Sequence, residues 1–129
     1  MVDHALMKTT ILLLVSDPIV CSVLKETLER EGYSVLDANG LGQAVDRLKL
    51  STPDLLITRT YVQSLSGHDA AVYLRTKCTK MRILILGGLL DDARLQNREE
   101  LEGFRVFPKP YTAAVLLQQV KDILSEPRG

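Results

Sequence analysis

Short, nearly unbroken apolar runs alternate along this chain with longer segments whose apolar residues recur every three or four positions. Residues 10–15, nearly all Ile, Leu and Val, read as a strand covered on both faces. Asp17-Pro18 opens a helix: Asp17 can accept from the free backbone N–H groups, and proline suits the first helical position. Val20, Val23, Leu24 and Leu28 give that helix its apolar stripe, and Gly32 closes it. Residues 33–38 form a second strand, and Asn39-Gly40 turns into a helix with Leu41, Ala44, Val45 and Leu48 on its apolar face. Pro53 introduces a third strand, Leu55 to Ile57 at its core, which delivers Arg59 at its end. A polar, turn-prone stretch follows and closes at Ser66-Gly67. The next helix runs over about 68–77, with Ala71, Leu74 and Cys78 on one stripe.

Residues 82–86 predict a fourth strand ending at Gly87-Gly88. Residues 91–102 predict a helix with few apolar anchors (Ala93, Leu95, Leu101) among many charges, and so the loosest-packed one. Residues 104–107 are a short fifth strand broken by Pro108-Lys109-Pro110. The last helix spans 112–125, with Leu116, Leu117, Val120, Ile123 and Leu124 facing in and Val115 facing out. Strand and helix thus alternate five times with short connections. That pattern argues for an α/β fold, a parallel sheet with helices on both faces. In such sheets ligands and chemistry sit beyond the carboxyl ends of the strands, which is where Arg59 stands.

Composition narrows the function. The 129 residues suit one domain, here 10–125, with 1–9 as a lead-in and 126–129 as a tail or the start of a linker. Sixteen basic residues balance sixteen acidic ones, so there is no electrostatic footprint for nucleic acid or an anionic membrane. The run over 11–15 is too short to span a bilayer. Cys21 and Cys78 fall at apolar-periodic positions without Cys-x-x-Cys spacing, as buried thiols of a cytoplasmic protein would. His4 and His68 have no neighbouring ligand partner, and no acid–base pair or nucleophile–histidine arrangement marks an enzyme. Gly40-Leu41-Gly42 holds two glycines of a dinucleotide fingerprint, but Val45 takes the third place and the motif follows the second strand.

The stretches ILLLVSDP, LKETLEREGYSVLDANG, PDLLIT, SLSG and FPKP, the last followed by Tyr111, resemble the receiver domain of bacterial two-component response regulators over residues 10–124. The resemblance implies a single (βα)5 flavodoxin-like, doubly wound parallel sheet with strand order 2-1-3-4-5. It also implies phosphoryl transfer from a histidine kinase to an aspartate after the third strand. Carboxylates after the first strand would hold Mg²⁺, and a hydroxyl and a lysine after the fourth and fifth strands would bind the phosphoryl oxygens. Carried over residue by residue, the acceptor falls on Arg59, and the acidic pair on Val15 and Ser16 with Asp17 just beyond. The hydroxyl position falls on Gly87 and the aromatic switch on Val106; Lys109 alone matches. Guanidinium stays protonated and has no free nucleophilic lone pair. The expectation is therefore a degenerate pseudo-receiver with no Mg²⁺, working through a histidine kinase, an output domain or another regulator.

Arg59 has two readings: a built-in cation pinned by Asp17, or a long side chain reaching solvent after its carboxylate was lost. With Lys109, Gly87 and Gly88 it could also form an anion nest, which makes a sensor of an anionic metabolite or nucleotide the alternative function. Thr58, Thr60 and Ser16 are hydroxyls flanking the same edge. The expected contact surface is the face of the fourth helix, fifth strand and fifth helix, with Arg94, Arg98 and Glu99 as charged rim and Tyr111 and Val115 as apolar centre. It would support a weak homodimer or a constitutive hetero-contact.

Overall fold

Aliphatic runs too short for helices become the strands of one parallel sheet: β1 (Thr10–Leu14), β2 (Ser34–Ala38), β3 (Leu55–Arg59), β4 (Arg82–Leu86) and β5 (Phe104–Phe107). The structure, a computed structural model, describes residues 9–86, 104–107 and 112–125. The sheet order is β2-β1-β3-β4-β5 and every neighbouring pair is parallel, with Leu12 beside Leu36 and Leu56, and Leu84 beside Arg105. This is the expected strand order. Four helices are described: α1 (Pro18–Arg30), α2 (Leu41–Leu50), α3 (Gly67–Lys77) and α4 (Ala113–Ser125). The helix expected over 91–102, with Arg94, Arg98 and Glu99, lies outside the described residues, as do 1–8 and 126–129.

Alternation along each strand sorts the core into two layers. Ile11, Leu13, Leu55, Ile57, Leu84 and Leu86 face Cys21, Leu24 and Leu28 of α1 and Leu116, Val120 and Ile123 of α4. Leu12, Leu14, Leu56, Ile83 and Ile85 face Ala44 of α2 and Ala70, Ala71 and Leu74 of α3. With both faces covered, the three central strands need aliphatic side chains on both faces, which is why they read as runs and not as alternation. Edge strand β2 is the exception, with half-buried Ser34, Leu36 and Asp37.

Local signals start and stop the helices. Asp17 caps α1 by accepting from Ile19 and Val20, and Pro18 fills its first position. Gly32, at φ +99°, ends it: its N–H donates to the Glu29 carbonyl and Tyr33 N–H to the Leu28 carbonyl. Two expectations need correction. Val23, placed on the inward stripe of α1, is 58% exposed, while Cys21 is buried as expected, because the face that meets the sheet is centred on Cys21, Leu24 and Leu28. The stretch after β3 is not plain loop. Tyr61–Val62 and Leu65–Ser66 pair as a small antiparallel hairpin, turned at Gln63 with φ 58°. Val62 is its buried anchor.

Candidate functional site

Arg59 is the last residue of β3, in register with Leu86 of β4, so it stands at the carboxyl edge of the sheet as expected. Its backbone is held from several sides. The fully buried Thr58 donates its hydroxyl to the Leu14 carbonyl at 2.9 Å, tying the ends of β1 and β3 together. Thr60 Oγ1 donates to the Leu86 carbonyl at 3.4 Å, and Gly67 N–H to the Thr60 carbonyl at 2.7 Å. Ser66 then caps α3 by accepting from Asp69 N–H at 2.9 Å. A Cβ at Gly67 would lie 1.9 Å from the Arg59 carbonyl oxygen, so glycine is what lets α3 start against the end of β3. The Arg59 side chain is half-buried and makes no hydrogen bond or ion pair among the described residues.

Val15 is buried, Ser16 half-buried and Asp17 exposed at the end of β1. Of the two readings of Arg59, pinning by Asp17 is not found: among the described residues no ion pair joins them. The reason is local. Asp17 Oδ1 accepts from Ile19 N–H at 2.9 Å and Val20 N–H at 3.3 Å, which turns the carboxylate into the start of α1. Thr58 and Thr60 spend their hydroxyls on strand carbonyls; Ser16 has no hydrogen-bond partner among the described residues. Val106 lies in β5 in register with Ile85, and Val115 is 46% exposed on α4 as expected. Gly87, Gly88, Lys109 and Tyr111 lie outside the described residues.

A hard divalent cation needs several oxygen ligands. Val15, Ser16, Asp17 and Arg59 supply an alkyl group, one hydroxyl, one carboxylate already used as a cap, and a cation. These residues do not fit Mg²⁺. Among the described residues no group of three or more His, Cys, Asp and Glu could hold a metal ion.

A second feature escaped the sequence reading. Val15 and Ser16 line an open groove of about 590 Å³ between α1, the end of β2 and α2. Lys25 Nζ lies 3.6 Å from Asp37 Oδ1, and Arg47 Nε donates to the Asp37 carbonyl at 2.9 Å. Burial pushes the Cys21 thiol up, Asp37 adds to the shift and Lys25 partly opposes it, so Cys21 stays neutral in the groove wall. Burial, helped by Glu31, likewise raises the Tyr33 phenol. The four-residue steps Cys21–Lys25 and Gln43–Arg47 were visible in the sequence. That the two helices face each other across β2 was not.

With this geometry in place, the chain proves to belong to the response regulator receiver domains, whose family pattern matches residues 11–121. It is thus a module of two-component signalling, a class that interacts with histidine kinases and with output domains or other regulators. Sporulation initiation phosphotransferase F of Bacillus subtilis is 26% identical over 103 residues, covering 79% of this chain and 82% of that protein. The alkaline phosphatase synthesis transcriptional regulatory protein PhoP of the same species is 25% identical, covering 92% of this chain and 49% of its own length. The transcriptional regulatory protein YvrH, also of that species, is 25% identical, with 87% and 47% covered. The chain therefore spans about half the length of these two transcriptional regulators. Among solved structures, a two-component response regulator from Clostridium difficile superposes with a TM-score of 0.80 at 25% identity, covering 91% of this chain and 96% of that one. Among the described residues no helix is long and apolar enough to cross a membrane.

Proposed function

We propose that this receiver domain signals without being phosphorylated at the end of β3, as a non-enzymatic, cytoplasmic protein-interaction module of a two-component phosphorelay. The observation that carries this reading is Arg59, a permanent cation in last place on β3, where the family's chemistry requires a carboxylate. The lack of a metal-ligand set at Val15, Ser16 and Asp17 points the same way. The rival reading, an anion sensor built on Arg59 and Lys109, has no described geometry in its favour. Incubation with acetyl phosphate and Mg²⁺, followed by intact-protein mass spectrometry, should show no added phosphate. Stoichiometric phosphorylation would overturn the proposal. Arg59→Asp alone should not restore labelling, because the metal ligands stay missing.

The working surface in this reading includes β5 and α4, where Val115 is exposed. Val106 in place of an aromatic leaves no rotamer switch there, so the surface stays in one state. Val115→Glu should weaken self-association or partner binding at least several-fold while leaving the circular dichroism spectrum unchanged. Sedimentation showing a monomer at all concentrations, together with unaltered partner binding by this variant, would reject the surface.

A further inference from the structure

The groove between α1 and α2 is of a size that holds a small molecule, about 590 Å³. Its walls mix polar and apolar groups and hold two cations, Lys25 and Arg47, against one anion, Asp37, which leaves one net positive charge. Both cations are fixed to the end of β2, Lys25 by the Asp37 carboxylate and Arg47 by the Asp37 backbone carbonyl. Anchoring Arg47 through Nε leaves both terminal amino groups of its guanidinium without a partner among the described residues, a pre-oriented fork for two oxygens. Around it, the side chains of Ser16, Ser22 and Asn39 have no hydrogen-bond partner among the described residues. Gln43 Oε1 accepts from Asn39 N–H at 3.0 Å, which frees its amide NH₂ to donate.

We propose that this groove binds a small oxyanion-bearing molecule, a carboxylate or a phosphate, with the Arg47 fork on the anion and Ser16, Ser22, Asn39 and Gln43 on the remaining polar groups. The site is separate from Arg59, which is not among its walls. No aromatic side chain lines it, so nothing there would stack on an aromatic cofactor. It suits a single negative charge, a carboxylate or the monoanion of a phosphate, since a second would face the Asp37 carboxylate without a third cation to offset it. Cys21 does not alter this balance, being neutral. Ser16 belongs both to the groove and to the connection between β1 and α1, so occupancy acts directly on the end of the strand whose neighbour carries Arg59.

The test is a two-dimensional ¹H–¹⁵N NMR titration of the full chain with sodium phosphate, sodium acetate and sodium chloride at matched ionic strength and pH. Saturable shifts of the Ser16, Ser22, Asn39 and Gln43 amides with phosphate, acetate or both are expected, and none with chloride. Saturation by phosphate alone assigns a phosphate-bearing ligand, and by acetate alone a carboxylate. Arg47→Gln should weaken binding about tenfold or more, and Lys25→Gln, on the other helix, several-fold. Lys49→Gln, which removes a cation of α2 outside the groove, should leave it unchanged. Shifts that never saturate, that chloride reproduces, or that persist in both Arg47→Gln and Lys25→Gln overturn the proposal. Failure here leaves the acetyl phosphate result untouched, so the two readings fail separately.

Discussion

Gly67→Ala tests how tightly the candidate site is built. An added methyl carbon would lie 1.9 Å from the Arg59 carbonyl oxygen, 3.0 Å from its carbonyl carbon and 3.3 Å from Thr58 Cγ2. Two of these three atoms are backbone, so no side-chain rotation relieves the clash. The end of β3 and the start of α3 must part by more than about 1 Å in a close-packed interior. That movement breaks the 2.7 Å bond from Gly67 N–H to the Thr60 carbonyl, a loss of about 1 kcal/mol. It also disturbs the Ser66 cap, worth about 1 kcal/mol, and adds overpacking strain of about 1–3 kcal/mol. The expected destabilisation is about 3–5 kcal/mol, a large share of the ~5–15 kcal/mol typical of a domain. Urea unfolding followed by circular dichroism measures it. Gly42→Ala is the control: nothing lies within 4 Å of its added carbon, and it sits in α2. There alanine should stabilise by about 0.5–1 kcal/mol. A Gly67→Ala protein within about 1 kcal/mol of wild type would refute the close-approach argument.

Asp17→Ala should cost about 1 kcal/mol as a lost helix cap, and a double-mutant cycle with Arg59→Ala should show coupling below about 0.5 kcal/mol. Coupling of about 1 kcal/mol or more would restore the ion pair that the geometry denies. Cys21 and Tyr33 both have raised pKa values, so the folded state favours their neutral forms. Their contribution to stability is whole below the ordinary thiol value of 9.0 and is lost as pH climbs through the higher folded values. Denaturant midpoints should fall from about pH 8 to about pH 11, less steeply in Cys21→Ser; equal slopes for the two proteins would exclude the thiol as a source.

Much of the fold was readable because the physics involved is local. Aliphatic runs of strand length, a Pro at a helix start, an Asp cap and a Gly at positive φ each act within a few residues, and each stands where the pattern placed it. Arg59 at the end of β3 followed from counting along one strand. The misses share one cause: they depend on what a residue meets from far along the chain. Whether Asp17 turned toward Arg59 or toward its own helix was a competition between a distant cation and two backbone N–H groups within three residues, and the near donors won. Whether Val23 faced inward as Cys21 does depended on how α1 rolled against the sheet, and both fit a helical stripe. The hairpin after β3 needed Val62 to find a buried place beside α3. The groove required α1 and α2, on opposite faces of the sheet, to bring Lys25 and Arg47 to one strand end. Apolar spacing determines which segments fold into which element, but side-chain encounters between distant segments exist only once the sheet has set their separation.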